Sequence, residues 1–273
     1  MQRSNIQRSE YTRRNSKGID GEIELRLTVK SDYLHVGSRL PTYRLMKKID
    51  NINALLEQAL KGSIPDLSAY FSPKLHLMTR YSNGLVIIPG STIKGLVRTR
   101  LELAIPGSCY IVSREASNTS QTYKKIFRPK DKESEKFDVV KFPKVCPVCD
   151  LLGNSGLASR VTFSDFIGEN VNSQNVNVRG DEYECVTKNS VFKGRAIFKG
   201  LKSVEIGMLL YGFGFRVNNN SLISKTMLLG RFKFSDRRFG RVQFSLVSSD
   251  PKYVDYLKEF VNAFKPSDFN EEW

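Results

Sequence analysis

The chain has 273 residues, and its 43 Lys and Arg against 28 Asp and Glu give a formal net charge of +15 at pH 7. A surplus of this size favours a polyanionic partner, of which nucleic acid is the default. With 40% apolar and 11% aromatic residues the chain is not mainly disordered. No stretch approaches the roughly 20 apolar residues of a membrane span, and the N-terminus lacks the apolar core of a secretion signal, which predicts a cytoplasmic protein.

The first third of the chain predicts an arm, a strand and a helix. Residues 1–18 are rich in Arg, Ser and Asn and predict a flexible basic arm. Apolar and polar residues alternate from Glu22 to Val36, which is typical of a half-buried strand. His35, at the end of this stretch, is a candidate catalytic residue, although a lone histidine beside a strand end is more often structural. From Leu45 to Leu60 the apolar residues recur at helical spacing, so we expect a helix there.

Residues 86–100 predict a buried strand, a Pro-Gly turn and a helix. Ser91 is a suitable N-cap for that helix. Lys94 and Arg98 lie four residues apart on its polar face. A helix N-terminus that carries two cations suits a phosphate, because its free N–H groups and the helix dipole favour an anion. An ordinary strand-to-helix connection with a solvated basic face is the alternative interpretation.

The cysteines indicate a metal site. After a polar, basic stretch at 108–145, which predicts a surface excursion, Cys146 and Cys149 form a C-x2-C knuckle. Two thiolates at this spacing match the geometry of tetrahedral zinc, but they supply only two ligands. The candidates that would complete the site are Cys109 and Cys185, with His76 or His35 as substitutes. Reduced, buried thiols are the alternative.

The next segments predict strands. Arg160 stands beside a short strand whose apolar residues face a core, and it is a candidate phosphate contact. Residues 170–187 are polar and Asn-rich, and predict either a hairpin or a disordered loop. Alternation from Ser190 to Phe215 predicts two strands with a turn near Lys199.

The C-terminal part contains a second basic motif. Gly240 allows close backbone approach, while Phe239 offers a stacking face. Cations at this loop are supplied by Arg237, Arg238 and Arg241. An amphipathic helix is predicted from Lys252 to Phe264, and a tail that is either frayed or used in contacts with a neighbour follows Pro266.

Three motifs together resemble the RAMP superfamily, the RNA-binding subunits of CRISPR–Cas effector complexes. They are I-P-G-S-T-I-K-G at 88–95, C-P-V-C-D-L-L-G at 146–153 with A-S-R-V-T-F-S-D at 158–165, and the glycine loop at 227–242. The resemblance implies an α+β fold, with a ferredoxin-like (RRM-like) antiparallel sheet in a fingers-palm-thumb architecture. We expect an arm at 1–18, a single domain at 19–265 with insertions at about 41–66, 108–150 and 170–187, and a tail at 266–273.

The function that the resemblance implies is that of a Cas-seven-type backbone subunit of a type III (Csm/Cmr-like) effector complex in antiviral defence. Its partners would be CRISPR guide RNA, target RNA, other RAMP subunits and the large subunit of the complex. The resemblance also supports structural Zn²⁺, and the segment 170–187 would be the thumb. The expected RNA contacts are Lys94, Arg98, Arg160, Arg237, Arg238, Gly240 and Arg241. Arg231 and Arg238 stand where the family often has glycine, which predicts a stiffer loop.

The residue expected before the Ser-Pro pair bears on whether the chain cuts RNA. Family members that cut target RNA typically carry an aspartate just before a Ser-Pro pair, but Phe71 precedes Ser72-Pro73 here. Phenylalanine neither binds a metal nor accepts a proton. Asp50 and Asp66 are the nearest substitutes, with Mg²⁺ or Mn²⁺ only if the chain is catalytic. Two alternatives remain beside an RNA-cutting subunit: a CRISPR-RNA processing endonuclease and an RNA-binding protein outside CRISPR systems.

Overall fold

A computed structural model of the protein describes residues 8–10, 17–37, 42–63, 66–67, 70–110, 120–127, 137–141 and 143–273. The remainder of the predicted arm, most of the predicted excursion and parts of the segment at 41–66 lie outside the described residues. Its helices are α1 Ile52–Leu60, α2 Gly90–Ala104, α3 Gln121–Phe127, α4 Pro147–Leu152, α5 Ser203–Gly212 and α6 Lys252–Phe264. None of these helices is long and apolar enough to cross a membrane.

The strands lie throughout the chain. In the first half they are β1 Ser9–Glu10, β2 Ile19–Val29, β3 Tyr33–Leu34, β4 Thr42–Leu45, β5 Phe71–His76, β6 Ile87–Ile88 and β7 Lys144–Val145. In the second half they are β8 Val161–Phe163, β9 Phe166–Asn170, β10 Ser173–Val178, β11 Asp181–Thr187, β12 Val191–Leu201, β13 Phe215–Asn218, β14 Ser221–Ser224, β15 Met227–Leu228 and β16 Arg241–Leu246. The α+β class predicted from the sequence is confirmed.

Strand β2 lies at the centre of the larger sheet. Its alternating pattern buries Ile23, Leu25, Leu27 and Val29, and each buried side chain of this size contributes roughly 1.5–3 kcal/mol. The strand is antiparallel to both β12 and β16, in a sheet ordered β15-β16-β2-β12-β9-β6, and β8 also pairs with β12. The half-buried strand predicted from Glu22 to Val36 is therefore the middle of the sheet, but it ends at Val29, and Tyr33–Leu34 form the separate strand β3.

Helices α2, α5 and α6 share the main apolar core with this sheet. Helix α5 packs closely on α6, since a Cβ at Gly207 would lie 1.9 Å from the carbonyl oxygen of Tyr256. The predicted C-terminal helix is confirmed at Lys252–Phe264. The tail beyond it is anchored, not frayed: the Ser267 amide donates to the Ala104 carbonyl at 2.8 Å, and the buried Glu271 carboxylate accepts from the Leu228 amide at 2.7 Å.

A smaller sheet carries the hairpin predicted at 170–187. Its order is β10-β11-β5-β4, and β3 also pairs with β11. The hairpin turn is made by Arg179 and Gly180, with φ of 57° and 92°, a combination that suits a tight two-residue turn. The hairpin packs on the C-terminal glycine loop through a second apolar core of Val176, Val178, Tyr183, Cys185 and Phe239.

Two secondary-structure predictions were wrong. The second strand expected within 190–215 is helix α5, which begins after Lys202, whose amide donates to the Glu205 carboxylate at 2.7 Å. Residues 206–212 are all buried, and a helix buried all round shows no distinct 3.6-residue pattern. The helix expected from Leu45 begins only at Ile52, because residues 42–45 pair with β5 as an edge strand.

Candidate functional site

The two ends of the glycine loop between β15 and β16 are held together at Gly240, and we call this point the neck of the loop. Its φ is +78°, its amide donates to the Tyr33 carbonyl at 2.9 Å, and its carbonyl accepts from the Leu229 amide at 2.8 Å. A Cβ there would lie 2.4 Å from the Leu229 carbonyl oxygen. Phe239, predicted as a stacking face, is instead fully buried in the second core. Gly240 therefore sets the path of the loop.

The three arginines predicted at this loop lie close together. Arg238 is paired with the Asp236 carboxylate at 2.8 Å and remains exposed. The guanidinium groups of Arg237 and Arg241 lie over the indole of Trp273, at 5.6 and 5.5 Å from a ring centroid. Arg241 also donates to the Trp273 carbonyl at 3.1 Å. The C-terminal tail thus holds two of the predicted RNA contacts in place.

Arg98 and Arg160 connect elements of the fold, and their side chains are only 11% and 12% exposed. Arg98 donates to the carbonyls of Leu152 and Gly153 at 2.7 and 2.6 Å, at the end of α4. Arg160 pairs with the carboxylates of Asp150 and Glu205 and donates to the Gly200 carbonyl at 3.0 Å. Protein acceptors therefore occupy both guanidinium groups. Phosphate contact by either one stays a prediction that this geometry does not favour.

The N-terminus of α2 already holds an anion. The Gly90 amide donates to the Asp165 carboxylate at 2.8 Å, and the Tyr81 hydroxyl donates to the same carboxylate at 2.7 Å. Ser91 is not the N-cap, because the helix begins at Gly90 and its N-cap is Pro89. The first helical amide, that of Gly90, is bound by the carboxylate of Asp165, which lies between β8 and β9. Because a carboxylate occupies this N-terminus, the phosphate expected there has no obvious place. Lys94 lines a separate pocket of about 300 Å³ on the same helix, and burial followed by repulsion from Arg98 lowers its pKa.

A larger groove lies between α2, α3 and the first half of the glycine loop. Its volume is about 550 Å³. Arg231 and Lys233 lie on the loop side, and Thr92, Gly95 and Thr99 form the wall on α2. The aromatic residues that line it are Tyr123, Phe127, Phe232 and Phe234. None of the sequence motifs indicates this groove, although Gly95, a glycine in the interior of the predicted helix, is a signal for it in the sequence.

In the described part of the chain, neither a positive φ nor a close neighbour requires glycine at position 95. No atom lies within 4 Å of an ideal Cβ built there, so the position opens into the groove. A glycine in a helix interior costs roughly 0.5–1 kcal/mol relative to alanine. Among the described residues nothing offsets this cost, so the helix backbone at Gly95 is left open to close approach by a ligand.

A stack of rings links the groove to the hairpin. The Arg231 guanidinium lies 4.8 Å from the ring centroid of Tyr183, and His76 stacks on that ring at 4.4 Å. His35 is buried against the same ring, with Nδ1 2.7 Å from the Glu184 carbonyl oxygen. Burial, the largest effect, lowers the pKa of His35. His35 is therefore a structural histidine, as the more common interpretation of a strand-end histidine predicts.

Three of the four cysteines form one buried cluster. The sulfur atoms of Cys109, Cys146 and Cys149 all lie within 4.8 Å of one another. Hydrogen bonds from the thiols of Cys109 and Cys149, and from both backbone amides, lower the pKa of Cys146. Three soft sulfur donors, one of them easily ionised, fit a divalent metal ion such as zinc.

The other predicted ligands do not join this cluster. Cys185 lies in the second core and its thiol donates to the Tyr183 carbonyl at 3.5 Å. His35 and His76 lie beside Tyr183 as well. Among the described residues no further His, Cys, Asp or Glu belongs to the thiol group. The expected set of four is thus reduced to three cysteines.

The candidate catalytic aspartates are exposed. Asp50 precedes α1, and Asp66 follows it, while Phe71 begins β5. Neither aspartate belongs to a group of three potential metal ligands among the described residues. Their predicted role therefore stays a prediction.

The fold is of the α+β class, and the groove beside the glycine loop is lined by cations and aromatic rings. The family model of the RAMP superfamily matches residues 26–272, and the protein belongs to this superfamily. RAMP proteins are associated with type III CRISPR–Cas complexes and with RNA. A comparison with curated proteins finds no match.

Replacement of Gly240 by alanine tests the neck of the glycine loop. We expect Gly240→Ala to lower the free energy of unfolding by more than the roughly 1–2 kcal/mol that a left-handed backbone costs a non-glycine residue, because the methyl group also meets the Leu229 carbonyl. Gly62→Ala is the matched control, since Gly62 has φ of +79° and no atom within 4 Å of its Cβ position. Denaturant unfolding measures both. Equal losses in the two variants would contradict a specific constraint at the neck.

Proposed function

We propose that the protein is a Cas-seven-type backbone subunit of a type III CRISPR–Cas effector complex that holds guide RNA by its phosphates. The order β16-β2-β12-β9, with α2 after β2 and α5 after β12, supports a ferredoxin-like core. The observation that carries the proposal is the 550 Å³ groove, in which cations, aromatic rings and an uncovered helix backbone meet.

Electrostatics supports RNA at this groove. The chain has a net charge of +15, while the guanidinium groups of Arg98, Arg100 and Arg160 are neutralised by buried or partly buried carboxylates. The cations left at the surface of the loop include Arg231, which makes ring contacts with Tyr183 and Phe232 and is exposed. Lys233 lies on the same side of the groove. Cations arranged in this way attract the phosphates of a single strand.

The shape of the groove also suits a nucleic-acid backbone. Gly95 exposes the helix backbone to the ligand, and Thr92 and Thr99 add only short side chains on the same wall. The opposite side offers the rings of Tyr123, Phe232 and Phe234, and aromatic rings contribute roughly 1–3 kcal/mol for each stacked base. The groove thus combines close phosphate approach with surfaces on which bases can stack.

The remaining assignments belong to the same proposal. The partners are guide RNA, target RNA, other RAMP subunits and the large subunit of the complex, in the cytoplasm. The hairpin of β10 and β11 serves as the thumb. Further proposed RNA-binding residues outside the groove lining are Lys94, in the separate pocket on α2, and Arg237, Arg238, Gly240 and Arg241 of the glycine loop.

Loss of the loop cations tests RNA binding at the groove. For the double variant Arg231→Gln with Lys233→Gln, we expect the affinity for a synthetic single-stranded RNA to fall roughly tenfold. The salt slope should fall by about 0.7 for each phosphate contact removed. Fluorescence anisotropy at several salt concentrations measures both. Lys252→Gln with Lys265→Gln is the matched control, since both lysines are exposed on α6 and its C-cap, and no change is expected. An unchanged affinity and salt slope in the groove variant would place the RNA elsewhere.

A blocked groove separates RNA contact from protein stability. Gly95→Leu fills the groove from the helix wall, so the same measurement should show weakened RNA binding. The unfolding midpoint should not fall, because leucine favours the helix more than glycine does. Ser91→Leu is the matched control on the same helix, since Ser91 is exposed and outside the groove lining. Full RNA affinity in Gly95→Leu would remove the groove from the proposal.

The proposed subunit holds RNA without cutting it. Cleavage assisted by a divalent metal needs an anionic ligand or a base beside the scissile phosphate, and Phe71 supplies neither. With guide RNA, complementary target RNA and Mg²⁺ or Mn²⁺, we expect a bound target that stays intact on a denaturing gel. Regularly spaced cleavage that disappears in Asp66→Ala or Asp50→Ala would make the protein an RNA-cutting subunit instead.

We also propose that Cys109, Cys146 and Cys149 bind structural zinc. The purified, reduced protein should contain about one zinc ion per chain by elemental analysis. Cys146→Ser should abolish binding, because its sulfur is central to the cluster, whereas Cys185→Ser should keep the metal. Zinc lost equally from both variants would contradict the three-cysteine site, as would a wild type that contains no zinc.

A further inference from the structure

The described part of the N-terminal arm lies against the thiol cluster. Strand β1 is antiparallel to β7, with Ser9 opposite Val145 and Glu10 opposite Lys144. Strand β7 leads directly into Cys146. The arm therefore runs beside the segment that delivers the first thiol of the C-x2-C knuckle.

Arg8 contacts the cluster itself. Its Nη2 atom donates a hydrogen bond to Sγ of Cys109 at 3.8 Å, across 101 positions in the chain. The sulfur atom that it contacts belongs to the group of three. The backbone pairing of β1 and this side-chain contact thus bring the arm to the same place independently.

The net charge of a metal-bound thiol cluster favours a cation beside it. A divalent ion held by three thiolates leaves one net negative charge, and a buried charge is costly unless it is paired. The chain's remaining Cys and both of its His lie in other surroundings. Any fourth ligand is therefore neither Cys nor His of this chain, and Arg8 is the described cation that contacts the cluster.

We propose that the N-terminal arm closes the three-thiol metal site, with Arg8 as the counter-ion of the metal–thiolate centre, so that metal binding and arm docking stabilise each other. The inference rests on the proposed zinc site but does not depend on RNA binding, and a zinc-free wild type would refute the zinc site itself before the role of Arg8 is tested. On this proposal the metal holds Arg8 and the strand β1 against the cluster, and the pairing of β1 with β7 is weakened when the metal is removed.

Zinc affinity is the first test, on the full-length reduced protein with a chromophoric chelator as competitor. We expect Arg8→Gln to weaken zinc binding about three- to tenfold, as for the loss of one partly exposed, charge-assisted hydrogen bond. Arg8→Lys should fall between the two, because it keeps the charge and loses the guanidinium geometry. Lys17→Gln is the control for a charge removed from the same arm, since Lys17 is exposed, and its affinity should equal that of the wild type.

Hydrogen exchange measures the arm directly. In the wild type, zinc should slow exchange in the peptide that contains Ser9 and Glu10 and in the peptide that contains Lys144 and Val145. This protection should be reduced in Arg8→Gln and absent in Cys146→Ser. The proposal is overturned if Arg8→Gln binds zinc like the wild type, or if zinc leaves exchange at β1 unchanged. RNA affinity measured on the same variants is a separate result, so failure here is distinguishable from failure of the RNA-binding proposal.

Discussion

Three guanidinium groups inside the protein connect its helices to one another, to the sheet and to the C-terminal tail. Arg98 joins α2 to the end of α4, and Arg160 joins α4, β12 and α5. Arg100 donates to the Leu228 carbonyl of β15 and to the buried Glu271 of the tail. A buried cation must be paired, and a guanidinium group has five donors in a fixed plane, so each arginine needs acceptors from several elements at once. These requirements fix how α2, α4, α5 and the tail lie around the sheet.

The same pairing divides the basic residues of the chain into two groups. Arginines packed between the helices and the sheet are neutralised within the fold, whereas the glycine loop carries the exposed arginines Arg231, Arg237 and Arg238, of which Arg238 is paired with Asp236. The C-terminal tail takes part in both groups. Glu271 neutralises Arg100 inside, and Trp273 supports Arg237 and Arg241 outside. A segment expected to be peripheral thus shapes the proposed RNA surface, because it bridges the buried and exposed cations.

Helix α2 connects the thiol cluster to the groove. The groove uses Gly95 and Thr99 of this helix, while Cys109 follows shortly after its end. Arg98 ties the same helix to the carbonyls at the end of α4, the short helix that contains Cys149. A metal ion that orders α4 therefore also supports the position of α2. This arrangement gives the proposed zinc a structural role in the RNA-binding surface without direct contact with RNA.

The sequence by itself determined the features that depend on local pattern. Alternation located β2, helical spacing located α6 at its observed bounds, and the C-x2-C knuckle located two of the three clustered thiols. The superfamily follows from ordered motifs, and its model matches residues 26–272. Only the tertiary structure decided which cations stay exposed, that Cys109 and not Cys185 joins the knuckle, and that the carboxylate of Asp165 binds the first amide of α2. The physical reason is that pairing of charges, sulfur atoms and helix ends depends on distances between residues far apart in the chain, which local sequence patterns do not encode.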